Sequence, residues 1–296
     1  MSGSSEDSCE GSCESCAESS TCTDPRANDE TSIRMTRIKH KIVIGSGKGG
    51  VGKSTVAVNL AAALQARGFK VGILDADITG PDIPKLLGIE DLRLMAGPEG
   101  LEPADARGLK VISMALLLES RDSAVVWRGP MKMAALKQFV SDVNWGDLDF
   151  LLVDLPPGTS DEPISAVQLI TDLDGAIIVT TPQDVALLDS RKAVNMFLMM
   201  DVPVLGIVEN MSGFVCPHCG AKIEVFKVGG GERAAKELGV PFLGAIPLDV
   251  AIGRLSDLGQ AFAGGKTPAA KAFDRIVEAV LLELRGSDKR SSEQKI

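Results

Sequence analysis

The run Gly45-Ser46-Gly47-Lys48-Gly49-Gly50-Val51-Gly52-Lys53-Ser54-Thr55 constrains this 296-residue chain more than any other stretch. It follows the apolar Ile42–Ile44 and leads into Val56, Leu60, Ala63 and Leu64, whose spacing is that of one helix face. Gly47, Gly52, Lys53 and Ser54 satisfy the spacing GxxxxGK[ST] in the strand-loop-helix context that this motif needs. Glycines let the backbone curl until successive N–H groups face phosphate oxygens, and the helix N-terminus adds partial positive charge at the same spot. Gly47, Gly49, Gly50, Val51 and Gly52 are therefore expected to cradle the phosphates of a nucleotide. Lys53 should reach the β- and γ-phosphates, the Ser54 hydroxyl should ligate Mg²⁺, and Thr55 should support the α-phosphate.

A loop of this kind sits between a parallel strand and a helix, and the texture from Ile38 onward agrees. Short apolar runs alternate with helical patterns. Strands are expected near Ile42–Ile44, Val71–Leu74, Val111–Met114, Phe150–Val153, Ala176–Val179, Val204–Val208 and Phe242–Ala245. Seven strands with short connections predict an α/β fold: a doubly wound, mostly parallel sheet with helices on both faces, over residues 37–286. A helix from about Pro268 to Leu284 should pack back on the domain, leaving 287–296 as a polar tail.

Residues 1–36 differ in kind. Rich in Ser, Glu and Cys and almost without large apolar side chains, they read as a flexible arm that cannot offset its own ordering entropy. Residues 1–30 hold eight carboxylates against Arg26 alone, a net of -7, which leaves -2 of the chain's -9 for everything after them. An acidic arm and the lack of a basic stripe argue against nucleic acid as a partner. The start is too polar for a signal peptide and no apolar run is long enough for a membrane span, so a cytoplasmic protein without a membrane partner is expected.

Carboxylates stand where the sheet's carboxyl edge should be. The second strand ends in Leu74-Asp75-Ala76-Asp77, the fourth in Val153-Asp154. Asp75 and Asp154 suit the Mg²⁺ shell, and Asp77 is placed to orient or deprotonate an attacking water. Leu155-Pro156-Pro157-Gly158-Thr159-Ser160-Asp161 reads as a switch loop in which Gly158 donates its N–H to the γ-phosphate.

Six cysteines remain: Cys9, Cys13, Cys16 and Cys22 in the arm, Cys216 and Cys219 far downstream. Without a secretory signal, pairs spaced two apart read as metal ligands or redox centres. Cys216-Pro217-His218-Cys219 supplies two thiolates, too few for a tetrahedral zinc site or a four-iron cluster. Half of a zinc ribbon is the competing reading.

Lys48, in the run KGGVGKS, resembles the deviant Walker A group, which includes the nitrogenase iron protein, septum-site and plasmid-partition ATPases and Mrp-type cluster carriers. The phosphate loop from Gly47, the stretch DLPPGTSDE, Trp127-Arg128-Gly129-Pro130-Met131, ENMSGF and the CPHC pair together resemble the Mrp-type (ApbC-type) iron-sulfur carrier ATPases, from about Ile38 to Leu284. The resemblance implies a homodimer in which Lys48 crosses a two-fold interface to the partner's phosphates, so that Lys48, Lys53 and Asp77 form the catalytic set. It implies ATP rather than GTP, with Asn210 at the adenine amino group and the loop of Pro247 and Asp249 closing over the base. It implies, finally, one [4Fe-4S] cluster bridged by Cys216 and Cys219 of both copies and delivered to apo-proteins, with slow hydrolysis. The arm's Cys13-x₂-Cys16-x₅-Cys22 is similar to the amino-terminal cluster site of the cytosolic scaffold branch. There the fourth cysteine lies farther upstream than Cys9 does here, so a cluster, a zinc site and spare thiols all stay open for the arm. Two rival functions share the phosphate loop: a spatial-organisation ATPase that binds membranes or polymerises, and an electron donor that keeps its cluster.

Overall fold

The computed structural model describes residues 34–118, 120, 127–216 and 218–293. The phosphate loop lies between β1 (Ile38–Ser46) and α1 (Lys53–Ala66). All seven expected strands are present: β1, β2 (Val71–Asp75), β6 (Leu109–Ser113), β7 (Leu148–Asp154), β8 (Gly175–Thr180), β9 (Val204–Glu209) and β12 (Phe242–Ala245). They form one sheet in the order β12-β9-β8-β1-β7-β2-β6, all parallel.

An eighth strand, β5 (Ala104–Ala106), adds to the β6 edge antiparallel, which the sequence reading did not anticipate. Its three residues are too short to show alternation, and the turn that joins it to β6 places Arg107 at a φ of 58°. Two further short pairs lie off the sheet: β3 (Met95–Gly97) with β4 (Gly100–Glu102), and β10 (Phe214–Val215) with β11 (Lys222–Ile223).

Strand side chains alternate between two cores, as a sheet covered on both faces requires. Ile42, Ile44, Ile73, Leu152 and Val179 face α1, α2 (Ile83–Leu87), α7 (Val250–Asp257) and α8 (Pro268–Glu293). Val43, Leu74, Leu151, Val153 and Ile178 face α3 (Gly129–Ser141), α4 (Asp161–Leu169), α5 (Asp184–Met199) and α6 (Gly230–Leu238). The last helix, α8, runs on past the expected Leu284 to Glu293.

The topology fixes where a ligand goes. From β1 the chain runs through α1 to β2 on one side, whereas from β7 it runs through α4 to β8 on the other. The loops after β1 and β7 thus diverge at the carboxyl edge, the place where open α/β sheets bind their ligands.

Candidate functional site

The phosphate loop is held open by a close approach rather than by its own turns. A Cβ at Gly47 would lie 2.1 Å from the backbone carbon of Asp189 in α5, so no larger residue fits without moving a helix. At the loop's far end Gly52, with a φ of 84°, caps α1, and the first turn of that helix carries no acidic residue. The Ser46 hydroxyl donates to the Lys48 carbonyl at 3.0 Å, bracing the entry. The loop borders a cavity of about 450 Å³ also lined by Asp77, Gly80, Asp82, Lys85, Pro157 and Met211. Lys48 lines the same cavity and is half-buried. Gly49, Gly50, Val51, Ser54 and Thr55 complete its wall.

Lys53, in the cavity wall, contacts one buried carboxylate and has a second close by. Lys53 Nζ lies 2.7 Å from Asp154 Oδ1, with the two side chains 7% and 1% exposed. Ser54 Oγ donates to Asp154 Oδ2 at 2.6 Å. Asp75, fully buried at the end of β2, accepts from Ser113 Oγ at 2.9 Å. Burial, then the Asp154 charge, pushes the Asp75 carboxyl well above its ordinary range, with Lys53 and Ser113 partly offsetting. Burial likewise raises Asp154 against the pull of Lys53. Asp77 is raised chiefly by desolvation, while the Gly80 N–H, donating at 3.1 Å, acts the other way. Two crowded carboxylates beside a hydroxyl form an all-oxygen set with a deficit of positive charge, the chemistry that suits a hard divalent cation such as Mg²⁺. Lys53 neutralises part of that deficit here.

Three of the expected nucleotide contacts are otherwise engaged in this structure. The Gly158 N–H donates to the Ser46 carbonyl at 2.8 Å. Asn210 is buried and its amide nitrogen donates to the Val51 carbonyl at 2.9 Å, so that it braces the phosphate loop from behind. Asp249 caps α7, accepting from the Ala251 N–H at 2.9 Å, with Pro247 half-buried just before it.

The downstream cysteines sit on the hairpin formed by β10 and β11, outside the sheet. The Cys216 N–H donates to the Ala221 carbonyl and the Gly220 N–H to the Cys216 carbonyl, each at 2.9 Å, closing a tight knuckle. Cys216 is half-buried and Cys219 exposed, both free thiols. Backbone N–H groups of Cys219 and His218 point at the Cys216 sulfur and hold its thiol below the ordinary range. Among the described residues no group of three or more His, Cys, Asp or Glu side chains is arranged to hold a metal ion. Cys9, Cys13, Cys16 and Cys22 lie outside the described residues.

A family model described as the NUBPL iron-transfer P-loop NTPase, of the ParA group, matches residues 37–281. The chain belongs to this family. It is similar to the iron-sulfur cluster carrier protein of Methanocaldococcus jannaschii, 51% identical over 284 residues that cover 94% of this chain and 98% of that one. Among solved structures it resembles a nucleotide-binding protein from Archaeoglobus fulgidus in complex with ADP, at 40% identity and a TM-score of 0.71, covering 79% of this chain and 92% of that one. The cell division ATPase MinD of Pyrococcus furiosus matches at 26% identity and a TM-score of 0.59, covering 82% and 99% of the two chains.

In this iron-transfer NTPase two residues had no role in the sequence reading: Met211 lines the cavity, and Lys132 braces the segment after β2 that lines it through Asp77 and Gly80. Lys132, in the first turns of α3, donates to Thr79 Oγ1 at 2.8 Å and to Glu162 Oε1 at 2.7 Å, joining the segment after β2 to the start of α4. Met211 lines the cavity from a left-handed backbone with a φ of 58°, an unusual conformation for a non-glycine residue. Neither has a sequence signal, because a lysine near a helix start and a methionine in a loop are ordinary. Among the described residues no helix is long and apolar enough to cross a membrane.

Proposed function

We propose that this iron-transfer NTPase is an ATP-driven carrier that holds an iron-sulfur cluster as cargo between two copies of the chain and passes it to apo-proteins. The observation that carries this reading is the contrast between a furnished nucleotide cavity and a cysteine knuckle that presents two sulfurs and, among the described residues, no third ligand. A two-fold axis brings two knuckles together and supplies the four thiolates that one [4Fe-4S] cluster takes. Relatives that share about half of its residues are named iron-sulfur cluster carriers, which supports the cargo. A structural relative in complex with ADP supports the nucleotide.

The residues divide as follows. Ser54, Asp75 and Asp154 would hold Mg²⁺, which when bound would offset charge on the phosphates, and Lys53 leaves Asp154 for the β- and γ-phosphates. Water attacks the γ-phosphorus as the bond to the bridging oxygen breaks, and Asp77, whose raised proton affinity suits a base, takes the water's proton. Lys48 of the partner copy balances the charge that develops on the leaving group. Gly158 contributes its N–H to the γ-phosphate by releasing Ser46, and Asn210, Pro247 and Asp249 line the base. Transfer is ligand exchange: thiolates of the acceptor replace Cys216 and Cys219 at iron without a change of oxidation state.

Anaerobic reconstitution of the full-length chain, with iron, sulfide and zinc counted and the mass measured, tests this. One [4Fe-4S] cluster per two chains, lost to an added apo-acceptor, is expected. A monomer with one tightly held zinc at Cys216 and Cys219 overturns the reading.

A further inference from the structure

The segment that carries the cysteines leaves β9 at Glu209 and rejoins the domain at the start of α6, and both of its ends converge on the Glu209 side chain. Glu209 is fully buried. Its Oε1 accepts from Ser212 Oγ at 2.5 Å, where the segment departs, and from the Gly229 N–H at 3.0 Å, where it returns. Its Oε2 accepts from the Gly231 N–H in the first turn of α6. The approach is tight: a Cβ on Gly231 would lie 3.0 Å from the Glu209 Cβ. A carboxylate with three donors at a helix N-terminus is favourably placed both by hydrogen bonding and by the helix dipole.

The neighbouring contacts lead to the nucleotide. Asn210 N–H donates to the Thr180 carbonyl at 2.8 Å and its side chain to Val51 in the phosphate loop at 2.9 Å. On the other side the Glu209 carbonyl accepts from the Ile246 N–H at 2.8 Å, and the Leu248 N–H donates to Gly213 at 2.8 Å. The cysteine segment is therefore tied at its root to the phosphate loop and to the loop of Pro247 and Asp249. Among the described residues Glu209 is where both ends of that segment meet.

We infer that Glu209 is a positioning residue: it staples residues 212–229 at both ends, so that nucleotide binding against Val51 and Leu248 changes the setting of Cys216 and Cys219. This rests on the reading of these two thiols as the working pair, but not on their holding a cluster. Without the staple the segment loses the bonds that join its two ends, although Gly213 and Lys227 stay tied to Leu248 and Asp184, and its thiols become indifferent to the nucleotide.

The test uses the full-length, cluster-free chain. Cys216 and Cys219 are alkylated with iodoacetamide, with and without a non-hydrolysable Mg-ATP analogue, and quantified peptide by peptide, so that the arm cysteines do not interfere. Calorimetry measures affinity for the same analogue. In the unmodified chain the nucleotide is expected to change the alkylation rate by about fivefold or more, the lower end of ordinary coupling between sites. Glu209→Ala should reduce that change below about twofold while analogue affinity stays within about threefold. Glu209→Gln, which keeps the shape and one acceptor oxygen, should give an intermediate response and stands in if the alanine variant does not fold. An unmodified chain whose thiols ignore the nucleotide overturns the inference. So does a Glu209→Gln chain that responds in full, or one whose analogue affinity collapses together with the thiol response. Because no iron is present, these outcomes stay separate from a failure of cluster assembly.

Discussion

The phosphate loop and the cysteine knuckle are both short glycine-containing turns, yet one leads into a buried lysine at the sheet's edge and the other stands outside the sheet. Around the loop, helix α5 approaches until only glycine fits at position 47, and Lys53 and Asp154 are 7% and 1% exposed. Around the knuckle, Val215, Ile223, Val225 and Val228 are between 41% and 53% exposed, and the two strands beneath it contribute two residues each. The nucleotide site needs fixed dipoles and a low dielectric, which a sheet edge with covering helices supplies within one chain. A site that must receive and surrender a cluster needs accessible sulfurs on a segment that can shift. The difference is that between a lysine and carboxylate locked under covering helices and two thiols left open on a small hairpin.

The largest effects follow from removing each side separately. Cys216→Ser should abolish the visible absorbance of the reconstituted cluster and leave Mg-ATP affinity within about twofold, because the knuckle lies outside the cavity. Lys53→Ala should abolish measurable ATP binding and leave the thiols able to bind iron. It should also destabilise the nucleotide-free protein by about 3 kcal/mol, since Asp154 then keeps a buried charge without its cation. If Cys216→Ser loses ATP binding as well, the two regions are one site and the contrast fails.

Lys48 tests whether the nucleotide site is as self-contained as its burial suggests. Lys48→Ala should lower turnover by about a hundredfold while ATP affinity changes little, as expected for a group that acts only on transition-state charge. Mixing Lys48→Ala chains with Asp77→Asn chains should recover part of the turnover, because each mixed dimer keeps one site with an intact Asp77 and a Lys48 from the partner. No recovery places Lys48 in its own chain's site.

Next in size is Lys132, which joins Thr79, in the segment that lines the cavity through Asp77 and Gly80, to Glu162 at the start of α4. Lys132→Met keeps the apolar stem and removes both contacts. Turnover should fall by about tenfold with ATP affinity almost unchanged, as for a mutation that alters coupling between loops by ~1.4 kcal/mol. An equal loss in affinity makes Lys132 part of the binding surface instead.

What the sequence disclosed follows the same division. The loop from Gly47 to Thr55 has a spacing imposed by phosphate geometry, and Asp75 and Asp154 fall where apolar strands end, so these were readable from local pattern. The seven parallel strands were legible for the same reason, as continuous apolar runs buried on both faces. β5 was not, because three residues show no period, and neither was the helical continuation to Glu293, where the polar composition suits a tail equally well. Lys132 and Met211 acquire meaning only from what folds against them. The amide of Asn210 illustrates the limit: the family resemblance implies an adenine contact for it, whereas the structure shows it donating to Val51.

The smallest effect concerns stability. Burial and the Asp154 charge raise the Asp75 carboxyl above its ordinary 3.8, so the folded chain binds that proton more tightly than the unfolded chain does. By linkage, ionised Asp75 therefore costs stability above its raised folded pKa. The cost is relieved as pH falls through that value and is gone below about 3.8, where both states are protonated. Asp75→Asn should thus raise the melting temperature of the nucleotide-free, metal-free protein by a few degrees near neutral pH. The difference from the unmodified chain should shrink on acidification, even while surface carboxylates held low by Arg37 and Lys227 lose their own contribution in both proteins. With Mg-ATP bound the sign should reverse, because the variant forfeits a partner for the cation. Equal melting temperatures in the absence of ligand contradict the idea that the nucleotide site stores unfavourable charge for Mg²⁺ to neutralise.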